Sequence, residues 1–389
     1  MTSQPTPTST QRDLRLDFFR GVALWLIFVD HIPTNIVNSF TIRNFGFSDA
    51  AEIFVFISGY TAALVYGRAM RERGALVGSA RILRRVWQLY VAHVFLFIIF
   101  MAEIFFVANR FENPLFTEEM QLMEFIRQPD ETLLHGLLLT FKPVNMDILP
   151  VYIVLLLTFP PVLWFLLRVP NITLMASLGI YVTASEFNWT FPSFPSGHWV
   201  INPFHWQLLF VLGAWCSVFG AQRLQRVTRS PIVLTIAVIY LIFSLVVVTS
   251  WYVPWLASHM PRWLDIIYPV DKTNLDVLRL AHFLALAIVV VKLVPPGWSA
   301  LQSPWLRPAI QCGQHSLEIF CLGIFLSFTA HFVIVQVSSS VTMQVLISVA
   351  GVVIMSATAA LITWYQGIEK QTSSARQLLA NADIAGGDV

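Results

Sequence analysis

Charged side chains are scarce in this sequence: Asp, Glu, Lys and Arg make up 12% of 389 residues, against 56% apolar ones. So little charge cannot solvate one soluble core of that size, and a mean hydropathy of +0.68 points the same way. The formal net charge of +2 is too small and too scattered to suggest a nucleic-acid partner. Cysteine is also rare. Cys216, Cys312 and Cys321 lie in or beside apolar runs, in a number and spacing that fit neither a disulfide framework nor a zinc site, so no metal is expected. Walker-type phosphate loops, G-x-G-x-x-G and G-x-S-x-G are all missing, which removes the commonest nucleotide-binding and serine-hydrolase signatures. No internal repeat of the kind that marks many secondary transporters is visible. Met1 to Gln11 contains no apolar h-region, so the first span is expected to follow a disordered, uncleaved Thr/Ser/Pro-rich tail.

What the chain has instead is long apolar runs. It reads as an all-α polytopic membrane protein, a bundle of about ten transmembrane helices. The runs lie near residues 17–37, 48–67, 84–108, 147–167, 171–187, 203–220, 231–252, 276–294, 309–333 and 341–365. An even count sets both termini on one side. Arg68, Arg71, Arg73, Arg81, Arg84 and Arg85 crowd one connection, and Arg223, Arg226 and Arg229 another. The bias of Lys and Arg toward the cytoplasm makes these connections and both termini cytosolic. The acidic stretch 109–131 and the Trp-, Tyr- and Pro-rich stretch 253–274 are then external, and Thr132–Phe141 is expected as a re-entrant or interfacial helix. The plan is a cytosolic tail over 1–14, a membrane domain over 15–367 and a cytosolic tail over 368–389.

Within the first span, Arg20 and His31 stand 11 residues apart, about three turns and roughly 16 Å of rise, so they share a face. Ionisable groups inside a bilayer cost at least a few kcal/mol and mark candidate sites. Either one alone could equally be a snorkelling cation or a satisfied polar contact. An imidazole can serve as a base near neutral pH. Glu52 enters the second span at about the depth of His31, where a carboxylate could fix the tautomer of the ring. Asp30 is the rival, but it points about 100° away around the helix. Arg81, Arg84 and Arg85 open the third span and could hold phosphates in bidentate fashion. The same arginines also satisfy membrane topology or touch anionic lipid.

At the outer ends lie Asp147, the run His205, Trp206 and Gln207, and the set Asp276, Arg279 and His282. With Trp189, Trp199, Trp251, Tyr252, Trp255, Trp263 and Tyr268 they could bind and stack a sugar, although interfacial aromatic belts produce the same enrichment. His93, and His315 with Glu318, read as polar contacts inside the bundle.

Arg20 and His31 are similar to the R-x10-H signature of the acyltransferase-3 superfamily, membrane enzymes of about ten helices that move acyl groups onto carbohydrates. Four further stretches resemble its OpgC-type branch: RLDFFRG with VDH, FVFISGY, MDILPVY and NPFHWQLLFVLGAW. Arg81 and Arg84 match the superfamily's R-x-x-R motif. The resemblance implies a bacterial inner-membrane enzyme that succinylates an osmoregulated periplasmic glucan. It implies cytosolic acyl-CoA, succinyl-CoA by preference, as co-substrate and no tightly bound cofactor. His31 would be the general base with Glu52 or Asp30 beside it; Arg20, Arg81, Arg84 and Arg85 would bind CoA. An acetyltransferase acting on another envelope carbohydrate is the neighbouring alternative. A proton-coupled carrier built on the same buried charges is the distant one.

Overall fold

The computed structural model describes residues 13–385 apart from 114, 121, 220 and 296. The expected N-terminal tail lies outside the described residues up to Arg12, as do the side chains of Arg223 and Trp263. The architecture is all-helical, with no strand among the described residues. Helices α1 (Leu14–Asp30), α2 (Ala50–Arg73) and α3 (Ala75–Phe111) come first. The short α4 (Leu115–Glu119), α5 (Met123–Arg127) and α6 (Pro129–Leu137) follow, then α7 (Ile148–Leu166), α8 (Pro170–Glu186) and α9 (Pro203–Phe219). The chain continues through α10 (Ala221–Arg229), α11 (Pro231–Ser250), α12 (Pro254–His259) and α13 (Val277–Leu293). It closes with α14 (Arg307–Gln314), α15 (Ser316–Gln336) and α16 (Val341–Ala385).

Local chemistry sets the helix starts. Asp13, Asp49 and Asp276 cap α1, α2 and α13, each accepting a backbone N–H from two residues on. Proline opens α6, α8, α11, α12 and α14, where its missing N–H costs nothing.

Each of the ten apolar runs falls on helix, and the chain is a multi-pass membrane protein. Among the described residues, six helices are long and apolar enough to cross a membrane: α2, α3, α7, α11, α15 and the Val341–Glu369 part of α16. The other four runs fall on α1, α8, α9 and α13, which have 17 residues each. At 1.5 Å per residue that is about 26 Å, short of a hydrocarbon core of about 30 Å.

Two runs differ in detail. The first helix stops at Asp30, and 3₁₀ turns at Ile36–Phe40 and Ile42–Asn44 replace its expected continuation to residue 37; Pro33 cannot continue an α-helix. The ninth run is broken at His315, whose Nε2 lies 2.8 Å from Thr363 Oγ1 of α16. The segment expected as a re-entrant or interfacial helix falls in part on α6, which packs along α3: Tyr90 Oη donates to the Leu137 carbonyl at 3.1 Å.

The interior is closed by glycines at two backbone crossings. A methyl added at Gly59 of α2 would stand 2.0 Å from the Phe210 carbonyl oxygen of α9, and one at Gly213 of α9 would stand 2.2 Å from that of Phe56 of α2. Gly21 of α1 and Gly313 of α14 are reciprocal in the same way, each 1.8 Å from the facing carbonyl of Ala309 or Asp17. Without a hydrophobic drive between helices in lipid, such close approach is what van der Waals cohesion requires. It also seats α1 between α2, α14 and α15.

Gly59→Ala or Gly213→Ala is therefore expected to lower the melting temperature of the detergent-solubilised protein, through overpacking of about 1–3 kcal/mol. Gly179→Ala, which meets nothing within 4 Å, should not lower it. Equal melting of all three variants would contradict the crossing.

Candidate functional site

His31 is the C-cap of α1. Its backbone N–H reaches the Ile27 and Phe28 carbonyls at 3.0 and 3.2 Å, and its ring Nδ1 contacts the same Ile27 carbonyl. A carbonyl oxygen can only accept, so Nδ1 carries the proton and Nε2 keeps the lone pair of the neutral ring. The carbonyl of His31 accepts from Asn145 Nδ2 at 3.0 Å, which lays segment 142–147 across the helix end. Lys272, Asp49 and Arg43 lie within electrostatic reach of the ring.

The carboxylates expected beside His31 are engaged elsewhere. Glu52 is wholly buried. Its Oε1 accepts from Arg279 Nε at 2.7 Å, and its Oε2 accepts the Asp49 backbone N–H at 2.9 Å. Asp49 in turn accepts the Ala51 N–H at 2.8 Å, Arg279 Nη2 at 3.1 Å and Lys272 Nζ at 2.7 Å. The expectation that Glu52 orients His31 is thus corrected. A capping box turns one oxygen back onto the helix end, and the guanidinium of α13 takes the other. Asp30 accepts from Thr41 Oγ1 at 2.6 Å, so it anchors the 3₁₀ turns. The orienter of His31 is a backbone carbonyl one turn earlier.

The outer residues expected to bind sugar are mostly structural. Trp206 has no exposed surface, and its Nε1 donates to the Lys272 and Thr273 carbonyls at 3.1 and 3.2 Å. Gln207 accepts from Ser177 Oγ at 2.6 Å and donates to the Ser177 carbonyl at 2.8 Å. His205 Nε2 meets Ser185 Oγ at 3.0 Å, with its ring edge-on to Tyr181. Asp276 accepts the Leu278 N–H at 2.7 Å. Arg279 is spent on the two carboxylates. His282 Nδ1 meets Ser48 Oγ at 2.7 Å, and its ring fills the space that a methyl on Gly46 would take. These corrections share one cause: His205, Trp206, Arg279 and His282 are buried and Gln207 and Asp276 half-buried, where a polar group must find a partner. Asp147, at the N-cap of α7, is half-buried and close to Lys142.

Arg20 Nη2 donates to Thr61 Oγ1 at 2.6 Å and to the Ile57 carbonyl at 3.3 Å, so it stands against α2 deeper in the bundle. Arg81 and Arg84 are exposed on the first turns of α3, and the half-exposed Arg85 donates to Gln88 Oε1 at 3.3 Å.

Sequence reasoning missed Asp49, Lys142, Asn145 and Lys272. D-x-x-E at 49–52 is a readable capping box, and lysines at 142 and 272 in otherwise lysine-poor stretches were the available signal. Lys142 is buried, with Nζ 4.0 Å from the ring centre of Trp199. Burial pushes its ammonium down to about 8, against the pull of Asp147.

A family model described as OpgC protein matches residues 12–367. No curated protein and no solved structure matches the chain.

Arg279→Met would leave two carboxylates without the cation between them. A loss of about 3–5 kcal/mol is expected, read as a large drop in melting temperature. Arg279→Met combined with Glu52→Gln should recover part of it, because the buried charge is then removed. A single variant that melts like wild type would mean the cluster does not hold the outer ends together.

Proposed function

Since the chain belongs to the OpgC protein family, whose members are membrane acyltransferases for glucan modification, we propose that it moves an acyl group, succinyl by preference, from cytosolic acyl-CoA to a hydroxyl of a periplasmic glucan. The observation that carries this reading is the fixed tautomer of His31: Nδ1 is tied to Ile27 and Nε2 is left as a base. We place the protein in the bacterial inner membrane and in the acyltransferase-3 superfamily, with ten membrane segments and both termini cytosolic. The four 17-residue helices then complete the bundle across a locally thinned bilayer.

In this reading the CoA phosphates meet Arg81, Arg84 and Arg85 at the cytosolic start of α3. The pantetheine arm passes Arg20, and the thioester reaches His31 about 16 Å further along the same helix face. His31 Nε2 takes the proton of the acceptor hydroxyl as its oxygen attacks the thioester carbonyl. The tetrahedral adduct collapses to the ester, the C–S bond breaks, and the CoA thiolate takes the proton from the imidazolium. Glu52 and Asp30 have no part in the proton transfer. They hold the N-terminus of α2 and the turns after α1.

His31→Ala in the full-length protein in nanodiscs is expected to lose acyl transfer by at least about 10²-fold at an unchanged melting temperature, measured by mass spectrometry of the glucan. Near wild-type product from the folded variant would overturn the mechanism. Arg81→Ala with Arg84→Ala should raise KM for acyl-CoA about tenfold or more and leave KM for glucan unchanged. Equal effects on both would assign the arginines to membrane topology alone.

A further inference from the structure

Lys142 differs from the other buried cation near the outer ends. Arg279 holds two carboxylates, and the half-exposed Lys272 holds one. Lys142 is 9% exposed, and its contacts are the face of Trp199 and the Leu139 carbonyl at 3.5 Å, neither of them an anion. Among the described residues no carboxylate oxygen lies within 4.0 Å of its Nζ; Asp147 acts on it only from further away. A buried charge without a counter-ion is costly, and an anionic ligand would supply the missing partner.

A second unpartnered group lies within electrostatic reach of Lys142. His93, in the middle of α3, is 1% exposed, and neither of its ring nitrogens has a hydrogen-bond partner. Lys142 is the charge that acts on it. The edge-to-face contact of Phe97 with Phe141, at 6.3 Å between centroids, brings the two segments together. An imidazole this deep inside a span, with both nitrogens unpaired, needs an explanation. Lys142 also shares a short segment with Asn145, which holds the carbonyl of His31, and three residues of chain reach at most about 11 Å.

The geometry points to Lys142, with His93 behind it, as the receptor for the distal carboxylate of a dicarboxylic acyl chain whose thioester lies at His31. This rests on the acyltransferase reading and names what selects the acyl group. A carboxylate there accepts charge-assisted bonds from the ammonium and satisfies the imidazole, whereas an acyl chain ending in methyl leaves both unpaired. Lys142 is a specificity residue and takes no part in the proton transfer.

The test compares succinyl-CoA with butyryl-CoA, which has the same chain length with a methyl in place of the carboxylate. Binding is measured by competition on the full-length protein in nanodiscs, alongside transfer to glucan. Wild type is expected to bind succinyl-CoA about tenfold or more tightly than butyryl-CoA. Lys142→Met should bring the ratio close to one without weakening butyryl-CoA, and His93→Leu should bring it partway. Equal wild-type binding of the two donors overturns the inference, and needs no variant to fold. A preference retained in Lys142→Met overturns it as well. Selective binding without any transfer to glucan would keep the carboxylate site and sink the acceptor reading, whereas glucan acylation from both donors alike would do the reverse.

Discussion

Arg279, clamped between Asp49 and Glu52, is the interaction on which the joining of α2 to α13 depends. It joins the start of α2 to the first turn of α13, and Lys272 extends it into the segment before α13. The backbone of that segment is the acceptor for Trp206 Nε1, so the start of α9 is tied to the same cluster. Asn202 adds a third tie, accepting the Phe204 N–H at 3.1 Å and donating to Asn274 and to the Trp189 carbonyl at 3.0 and 2.7 Å. Charges buried this deeply are tolerated because each oxygen has a donor, and removal of any one leaves the others exposed to the low dielectric.

Deeper in the bundle the cohesion changes from charge to contact. Reciprocal glycines bring α2 against α9 and α1 against α14 at backbone distance. The two kinds of constraint act at different depths on the same helix, since α2 is held at its N-terminus by ions and in its middle by packing. Between them α1 is left with one orientation, and Arg20 is set against Thr61 while His31 is presented at the other end.

The catalytic reading follows from that rigidity. An imidazole at a helix C-cap is oriented by the carbonyl of the preceding turn, which needs no second side chain and cannot be titrated away. Glu52 is held by Arg279 on one oxygen and by the Asp49 N–H on the other. The fold therefore uses its buried acids for architecture and a backbone group for the tautomer.

Much of this was legible in the residues themselves. The apolar runs and the Arg20 and His31 spacing depend on local periodicity and composition, and each apolar run falls on helix. Side-chain partners were not legible, because a hydrogen bond between residues 227 apart in sequence, as for Arg279 and Glu52, leaves no local trace. The same holds for the burial of Trp206, whose outer position reads as a sugar platform until the segment before α13 closes over it. Even the D-x-x-E capping box, written plainly at 49–52, changes meaning only when a guanidinium arrives from α13. Periodicity determined which stretches became helix, and the tertiary structure decided which charge met which, since pairing in a low dielectric is settled by the few ångströms between side chains.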